Sequence, residues 1–168
     1  GKTKLQKLVY FLGELTQNLP TLGYRPHYYG PYSPDVAGAI DRLRALGYVE
    51  QSTSSGGAID QQGFEVARYD FQLNDQGTAV ADLKAKRFPD LWKKMQSAAT
   101  LVKKVQNEDY VKLSIAAKTF FMLGEKKGDA SFSELASLAT KFGWNVSAAN
   151  IQEAAKLLES LKLVKLRN

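Results

Sequence analysis

The only histidine of the chain, His27, lies close in sequence to Ser33 and Asp35. These are the three residue types of a serine-hydrolase triad. Such a triad needs a serine presented on a strained turn, an oxyanion hole, and a base that is oriented by a third group. Ser33 instead precedes a proline, and no G-x-S-x-G sequence is present. The sequence therefore predicts no catalytic residue, and a protein that is not an enzyme.

The chain also lacks the residues that a metal or cofactor site needs. The chain holds one His and no Cys, and its carboxylates are scattered, so no ligand cluster has the spacing of a metal site. Neither GxxxxGK(S/T) nor GxGxxG is present. We therefore predict no metal and no cofactor. The absence of Cys, of a long apolar run and of a signal-peptide pattern predicts a cytoplasmic protein without a membrane partner.

The net charge of +6 is unevenly distributed along the chain. Residues 1–90 hold ten Lys/Arg and ten Asp/Glu, whereas residues 91–168 hold thirteen and seven. A basic half beside a neutral half predicts an anionic partner for the basic one. Ordinary solubilising surface lysines would give the same charge, so both interpretations stay open on charge alone.

Hydrophobic spacing predicts a first helix over residues 3–17. Its predicted buried face holds Leu5, Leu8, Val9, Leu12 and Leu15. Pro and Gly break the pattern at 18–23, and the prolines in YRPHYYGPYS predict an extended segment over 24–33.

Ser33-Pro34-Asp35 predicts the start of a second helix. Ser fits the N-cap, Pro fits the first turn, and Asp is favourable at the positive end of the helix dipole. Gly47 is predicted to end this helix. The predicted buried side holds Val36, Ile40 and Leu43.

The next residues predict two strands and a loop. Residues 48–51 and 64–73 have strand composition, and the small polar stretch 52–63 is typical of an exposed, mobile loop tip. A turn and a further helix follow from residue 74. This order of elements is that of a winged helix with its wing between residues 48 and 73.

The C-terminal part predicts a second unit of the same class. Residues 89–106 predict a stiff connecting helix with Pro89 at its first position. A helix over 109–128 follows, and the S-x-x-E sequence at Ser131 predicts a capped second helix. After a short turn at 143–146, Ser147 is predicted to cap a third helix over 148–161, and LKLVKLRN is predicted to be the first strand of a truncated wing. This is a helix-turn-helix plan.

These elements predict an α+β, mostly helical fold with two winged-helix-like modules joined by a connecting helix. The predicted boundaries are residues 1–88 for the module with the YGPYSP segment, 89–107 for the connecting helix, and 108–168 for the second helix-turn-helix module with a truncated wing.

The segment KLQKLVYFLGEL, followed by YRPHYYGPYSPDVAGAIDRLRALGYVE, resembles the YwgA-like group and the related Panacea (SocA-like) domains. There a K-L-Q-K-L-x-Y start precedes an extended Y-G-P segment and a helix. The resemblance covers about residues 2–80. It implies a compact winged-helix-like domain and a role in regulation, phage defence, or toxin–antitoxin or chaperone-addicted systems. It implies no catalytic residue.

The third helix of the C-terminal module carries the candidate DNA contacts. Its predicted outward positions are Ala149, Gln152, Glu153, Lys156 and Ser160. Gln can read adenine, small Ala side chains permit close approach to a groove, and Lys binds phosphate. The predicted DNA-binding residues are Lys126, Lys127, Lys141, Asn145, Ser147, Ala149, Gln152 and Lys156. The alternative is a plain three-helix core with a solvated outer face.

The N-terminal module is a poorer DNA reader, because Asp35 and Asp41 on its second helix would be repelled by phosphate. Arg42 and Arg44 are possible secondary contacts. We therefore predict double-stranded DNA as the partner of the C-terminal module, and a protein partner or homodimerisation for the N-terminal module. The predicted function is transcription regulation or a defence-associated role. The alternative is a protein-interaction module, such as an antitoxin or adaptor, without direct DNA binding.

Overall fold

The computed structural model describes residues 1–59 and 65–167. Its helices are α1 (Lys2–Leu15), α2 (Pro34–Ala45), α3 (Asp75–Arg87), α4 (Pro89–Val102), α5 (Tyr110–Glu125), α6 (Phe132–Lys141) and α7 (Ala148–Ser160). Its strands are β1 (Val49–Ile59) and β2 (Glu65–Leu73), and single 3-10 turns lie at Leu19–Leu22 and Lys103–Val105. The predicted mostly helical α+β class is confirmed, with 64% of the residues in helices.

Helix α1 forms where it is predicted, and Leu8, Leu12 and Leu15 of its predicted apolar face pack against the main core. Its fully buried residues, however, are different ones. Gln6, Lys7, Tyr10 and Phe11 are buried. The five predicted aliphatic positions are only half-buried: Leu5, Leu8, Val9, Leu12 and Leu15. The reason is that residues 24–33 cover α1 and offer backbone partners to Gln6 and Lys7. Polar side chains can be buried where such partners are present.

Helix α2 begins as predicted, since the Ser33 hydroxyl accepts the Val36 amide at 3.0 Å. It ends in a Schellman motif: Gly47, with φ +75°, donates to Arg44, and Tyr48 donates to Leu43. The predicted burial of Leu43 is wrong, because this side chain is 37% exposed. Among the described elements, none covers the last turn of α2 deeply enough to bury Leu43.

Segment 24–33 is a tight hairpin-like loop rather than a simple extended segment. Arg25 and Tyr32 exchange two backbone hydrogen bonds of 2.9 Å. Between them the amide of Gly30, at φ +93°, donates to His27. A Cβ at Gly30 would lie 2.9 Å from the Lys118 side chain, so a glycine lets this loop approach α5 closely.

The predicted loop tip at 52–63 is wrong for residues 52–59. Strand β1 runs on to Ile59 and pairs antiparallel with β2, with Val49 opposite Leu73 and Thr53 opposite Tyr69. Residues 60–63 lie outside the described residues. A two-stranded ribbon is held by backbone hydrogen bonds, which small polar residues make as well as apolar ones do. Residues 52–59 therefore have the composition of a loop but form part of strand β1.

Helix α3 starts against the base of this ribbon. The Asn74 side chain accepts the Gly77 amide at 2.9 Å and caps the helix. A Cβ at Gly77 would overlap the carbonyl oxygen of Tyr48, so only glycine allows α3 to pack this closely. Helix α4 follows after one residue, with Pro89 at its start as predicted.

The C-terminal helices have the predicted caps. Ser131 and Glu134 form a capping box on α6, and Ser147 and Asn150 form one on α7. The predicted wing strand after α7 is wrong, because residues 161–167 form no strand. The backbone there turns back on the helix end, with Leu163 donating to Leu158 at 3.0 Å, and no described strand lies beside it.

The main core joins both ends of the chain. Tyr10 and Phe11 of α1 pack in one cluster with Ala117 of α5 and with Leu158 of α7. A second cluster holds α6 and the turn before α7, around Met122, Trp144 and Ile151. Helix α1 thus shares its core with the C-terminal helices, while the division at residues 88 and 107 stays a prediction.

Candidate nucleic-acid interface

Helix α7 presents the outer face that its sequence predicts. Ile151, Ala154, Ala155, Leu158 and Leu161 are buried. On the opposite side Ala149, Gln152, Glu153, Lys156 and Ser160 are exposed. Trp144 and Val146, which are buried, anchor the turn before the helix. The arrangement leaves the N-terminal half of α7 open to a partner.

Two of the predicted contacts on α7 are already engaged within the protein. The Lys156 ammonium lies 2.8 Å from Glu153, and this hydrogen bond lowers the pKa of the Glu153 carboxyl. The Ser147 hydroxyl accepts the Asn150 amide at 3.1 Å in the helix cap. Gln152 and Ala149 are exposed on α7, and neither side chain is engaged in this way.

The predicted phosphate contacts Lys126, Lys127, Lys141 and Asn145 are all exposed, and so is Ser147, which is predicted to contact DNA. Lys126 and Lys141 line one shallow depression together with Ser133 and Ser137 on the outer face of α6. The structure thus groups the predicted residues into two sets, one on α6 and the end of α5, the other on α7. A duplex would have to contact both sets at once.

The possible secondary contacts lie on the last turn of α2. Arg42 and Arg44 are both exposed, and Arg44 pairs with Asp41 at 3.4 Å. Surface pairs of this kind are weak, so the guanidinium groups remain accessible. The α2 face combines both charge signs, as the sequence predicts.

The largest concentration of positive charge along the chain lies elsewhere, on α3, α4 and the 3-10 turn that follows α4. Residues 84–104 hold seven Lys/Arg and one Asp, and all seven cations are exposed. Residues 108–168 hold nine Lys/Arg and seven Asp/Glu, a net charge of only +2. These cations lie on both sides of residue 90, so the charges of residues 1–90 and 91–168 taken separately do not show that they form one cluster.

Large apolar side chains are exposed beside this charge. Leu83 is 66% exposed, and Phe88, Leu91 and Met95 are each nearly half exposed. We call the residues Leu83–Met95 on α3 and α4 the α3–α4 surface. Sequence reasoning assigned these apolar side chains no role, and only the structure shows their exposure.

Sequence reasoning also missed a polar clamp around segment 24–33. The Gln6 side chain forms two hydrogen bonds with the Ser33 backbone, of 2.9 and 3.0 Å. The Lys7 ammonium donates to the Pro31 carbonyl at 2.6 Å, and the Tyr24 hydroxyl donates to the Gln6 carbonyl at 2.7 Å. The Q-K pair of the K-L-Q-K-L sequence thus holds the YGPYSP loop.

The chain matches no known protein family, no curated protein and no solved structure. Within the described ranges no helix is long and apolar enough to cross a membrane. The same part of the chain brings no three His, Cys, Asp or Glu side chains together as a potential metal site.

Proposed function

We propose that the protein is a DNA-binding regulatory or defence-associated protein, and that α7 enters the major groove of double-stranded DNA. The observation that carries this proposal is the exposed N-terminal face of α7, with Ala149, Gln152 and Lys156, on a helix fixed by a cap at Ser147. A recognition helix reads bases with the first turns of such a face.

Each predicted DNA-binding residue has a role in this complex. Gln152 reads a base edge, and Ala149 allows the helix to approach the groove. Lys126, Lys127, Lys141, Asn145 and Ser147 contact phosphates, and Lys156 exchanges Glu153 for a phosphate when DNA is present. Arg42 and Arg44 are the secondary contacts.

The fold interpretation belongs to the same proposal. Residues 108–168 act as a helix-turn-helix module, and residues 1–88 act as a winged-helix-like module whose wing is the β1–β2 ribbon. The YwgA-like and Panacea (SocA-like) resemblance supports the N-terminal assignment. That module provides the contact to a protein partner or to a second copy of the chain.

The test is binding of fluorescent duplex DNA, of random and of genomic sequence, at two salt concentrations. Four lysine–phosphate contacts give a slope of about −3.6 in log K against log salt. We expect Gln152→Ala and Lys156→Glu to weaken binding, and Asp41→Ala to leave it unchanged. The absence of binding at low salt would remove the proposal.

A matched charge reversal separates α7 from the α3–α4 surface. Lys156→Glu and Lys93→Glu change the same charge on exposed helical lysines. If Lys93→Glu abolishes binding and Lys156→Glu does not, DNA is bound by α4, and α7 is not the recognition helix.

A protein-interaction module is the second candidate function, and the α3–α4 surface favours it. Exposed apolar side chains among cations suit a partner with acidic and apolar residues. The test is copurification of a stoichiometric partner with the wild type and its loss with Leu91→Asp. Gln96→Asp, at an exposed polar site on the same helix, is the control.

A further inference from the structure

A cavity of about 270 Å³ lies beside the YGPYSP loop. Its walls come from α1, the loop, α2 and β2, and they include Leu5, Tyr32, Ile40 and Phe71. Most of the lining side chains are apolar or aromatic. This volume is just below the range of about 300–1,000 Å³ that is usual for small-molecule pockets, so it suits a small ligand. Cavities with apolar walls and a few polar groups are the usual form of small-molecule sites.

Lys7 is the polar group that distinguishes this cavity. It lines the wall, and only 1% of its surface is exposed. An ammonium carries three N–H donors, and among the described residues Lys7 uses one of them, on the Pro31 carbonyl. Burial, followed by the positive charge of Lys118, lowers the pKa of Lys7 from 10.5 to about 8, so the group still carries its charge at pH 7.

This buried cation has no counter-charge within the described part of the chain. None of the salt bridges there includes Lys7. The carboxylate among the lining residues is Asp41, whose side chain is 69% exposed and pairs with Arg44. The other Lys and His side chains that line the wall or approach Lys7 are Lys2, His27 and Lys118. A buried charge without a partner is unfavourable, and an anion in the cavity would supply one.

We propose that this cavity binds a small organic carboxylate, with the carboxylate on the Lys7 ammonium and an aromatic or branched aliphatic body against Leu5, Ile40 and Phe71. The Lys7 ammonium holds the anion, and the apolar wall selects its size. The site does not depend on DNA binding, since it shares no residue with α7.

The test uses benzoate, phenylacetate and isovalerate as probes, with benzamide and phenylacetamide as neutral analogues of the first two. Binding to the full chain is followed by NMR chemical shifts of its amide and aromatic groups. Ligands of this size bind a formed pocket with millimolar or better Kd. We expect at least one carboxylate to bind, its amide to bind at least about tenfold more weakly, and the shifts to map to α1, α2 and the loop.

Three variants complete the test. Lys7→Met removes the cation and is expected to abolish carboxylate preference. Because it also removes the bond to Pro31, Ala37→Leu provides a second variant that fills the cavity and leaves Lys7 unchanged; it is expected to block binding with the thermal unfolding curve retained. Lys4→Met is the matched lysine control and is expected to bind normally, since Lys4 does not line the cavity.

Several results would overturn the proposal. These are no binding by any probe in the millimolar range, equal binding of acid and amide, undiminished binding by Ala37→Leu, or shifts that map to another surface. Full carboxylate preference in a folded Lys7→Met variant would equally reject the role of Lys7.

Discussion

The indole Nε1 of Trp144 donates a hydrogen bond to the carbonyl oxygen of His27 at 2.8 Å. Trp144 lies in the turn that leads into α7, and His27 lies in the loop that α1 holds. Lys118 lies over the indole ring at 5.5 Å from its centroid. One bond therefore connects the N-terminal loop to the entrance of the candidate recognition helix.

Trp144→Phe should destabilise the fold by about 1–2 kcal/mol. The new phenyl ring can still stack on the ring of Phe142, but the His27 carbonyl loses the indole N–H that donates to it. Urea unfolding measures the change. Trp92→Phe, at a half-buried position on α4, is the control. An equal loss in both variants would mean that ring size, and not the hydrogen bond, matters.

Gln6→Leu should cost about 1–3 kcal/mol. The new side chain has a similar size, but the buried Ser33 amide loses its hydrogen-bond acceptor, whereas the Ser33 carbonyl keeps the Ala37 amide at 3.1 Å. An unpaired buried group costs about 1–3 kcal/mol. Chemical denaturation provides the measurement. Gln96→Leu, on the exposed side of α4, should change stability by less than about 0.5 kcal/mol.

The pKa of Lys7 predicts a specific pH dependence of stability. Burial lowers it from 10.5 to about 8 in the folded protein, so between pH 8 and 10.5 the unfolded chain binds a proton that the folded chain has lost. Stability contributed by this residue therefore rises with pH through that window, by about 2 kcal/mol between pH 7 and 10.

The measurement is urea unfolding of the wild type and Lys7→Met at both pH values, with Lys4→Met as the control. Wild type should gain stability relative to Lys7→Met as the pH rises, while its difference from Lys4→Met stays constant. Burial raises the pKa values of Tyr10 and Tyr24, and their titration lowers stability above pH 10. This effect is the same in the wild type and the variants, so it cancels in the difference between them. A constant difference between wild type and Lys7→Met would show that the Lys7 pKa is not lowered.

The same substitution at two glycines should have opposite effects. Gly77→Ala places a Cβ against the Tyr48 carbonyl, and we expect a loss of about 1–3 kcal/mol or more. Gly124→Ala lies in α5 with nothing within 4 Å of the added Cβ, and a gain of about 0.4–1 kcal/mol is expected. Thermal unfolding of both variants checks the two signs, and destabilisation by Gly124→Ala would contradict the open surroundings of that site.

Local features of the fold could be predicted from the sequence, since a cap involves residues only three positions apart. The N-caps at Ser33, Ser131 and Ser147 and the helix end at Gly47 are confirmed for this reason. The buried and exposed sides of α7 are confirmed too, because its apolar residues have a clear helical period.

Features that depend on distant partners could not be predicted. Burial of Gln6 and Lys7 requires the backbone of Ser33 and Pro31, which lie 27 and 24 positions away. Strand β1 extends through small polar residues because β2 pairs with its backbone, and residues 161–167 form no strand because no described strand lies beside them. The proposed cavity site belongs to this class as well, since its walls come from four separate elements.

The place of α1 in the main core has a consequence for biosynthesis. The ribosome makes Tyr10 and Phe11 before their core neighbours Ala117 and Leu158, which emerge more than a hundred residues later. Until then the nascent chain exposes both aromatic rings, and a chain that stops at residue 88 never covers them. Long-range contacts of this kind slow folding, so we expect the two rings to reach their final packing only after α7 has left the exit tunnel.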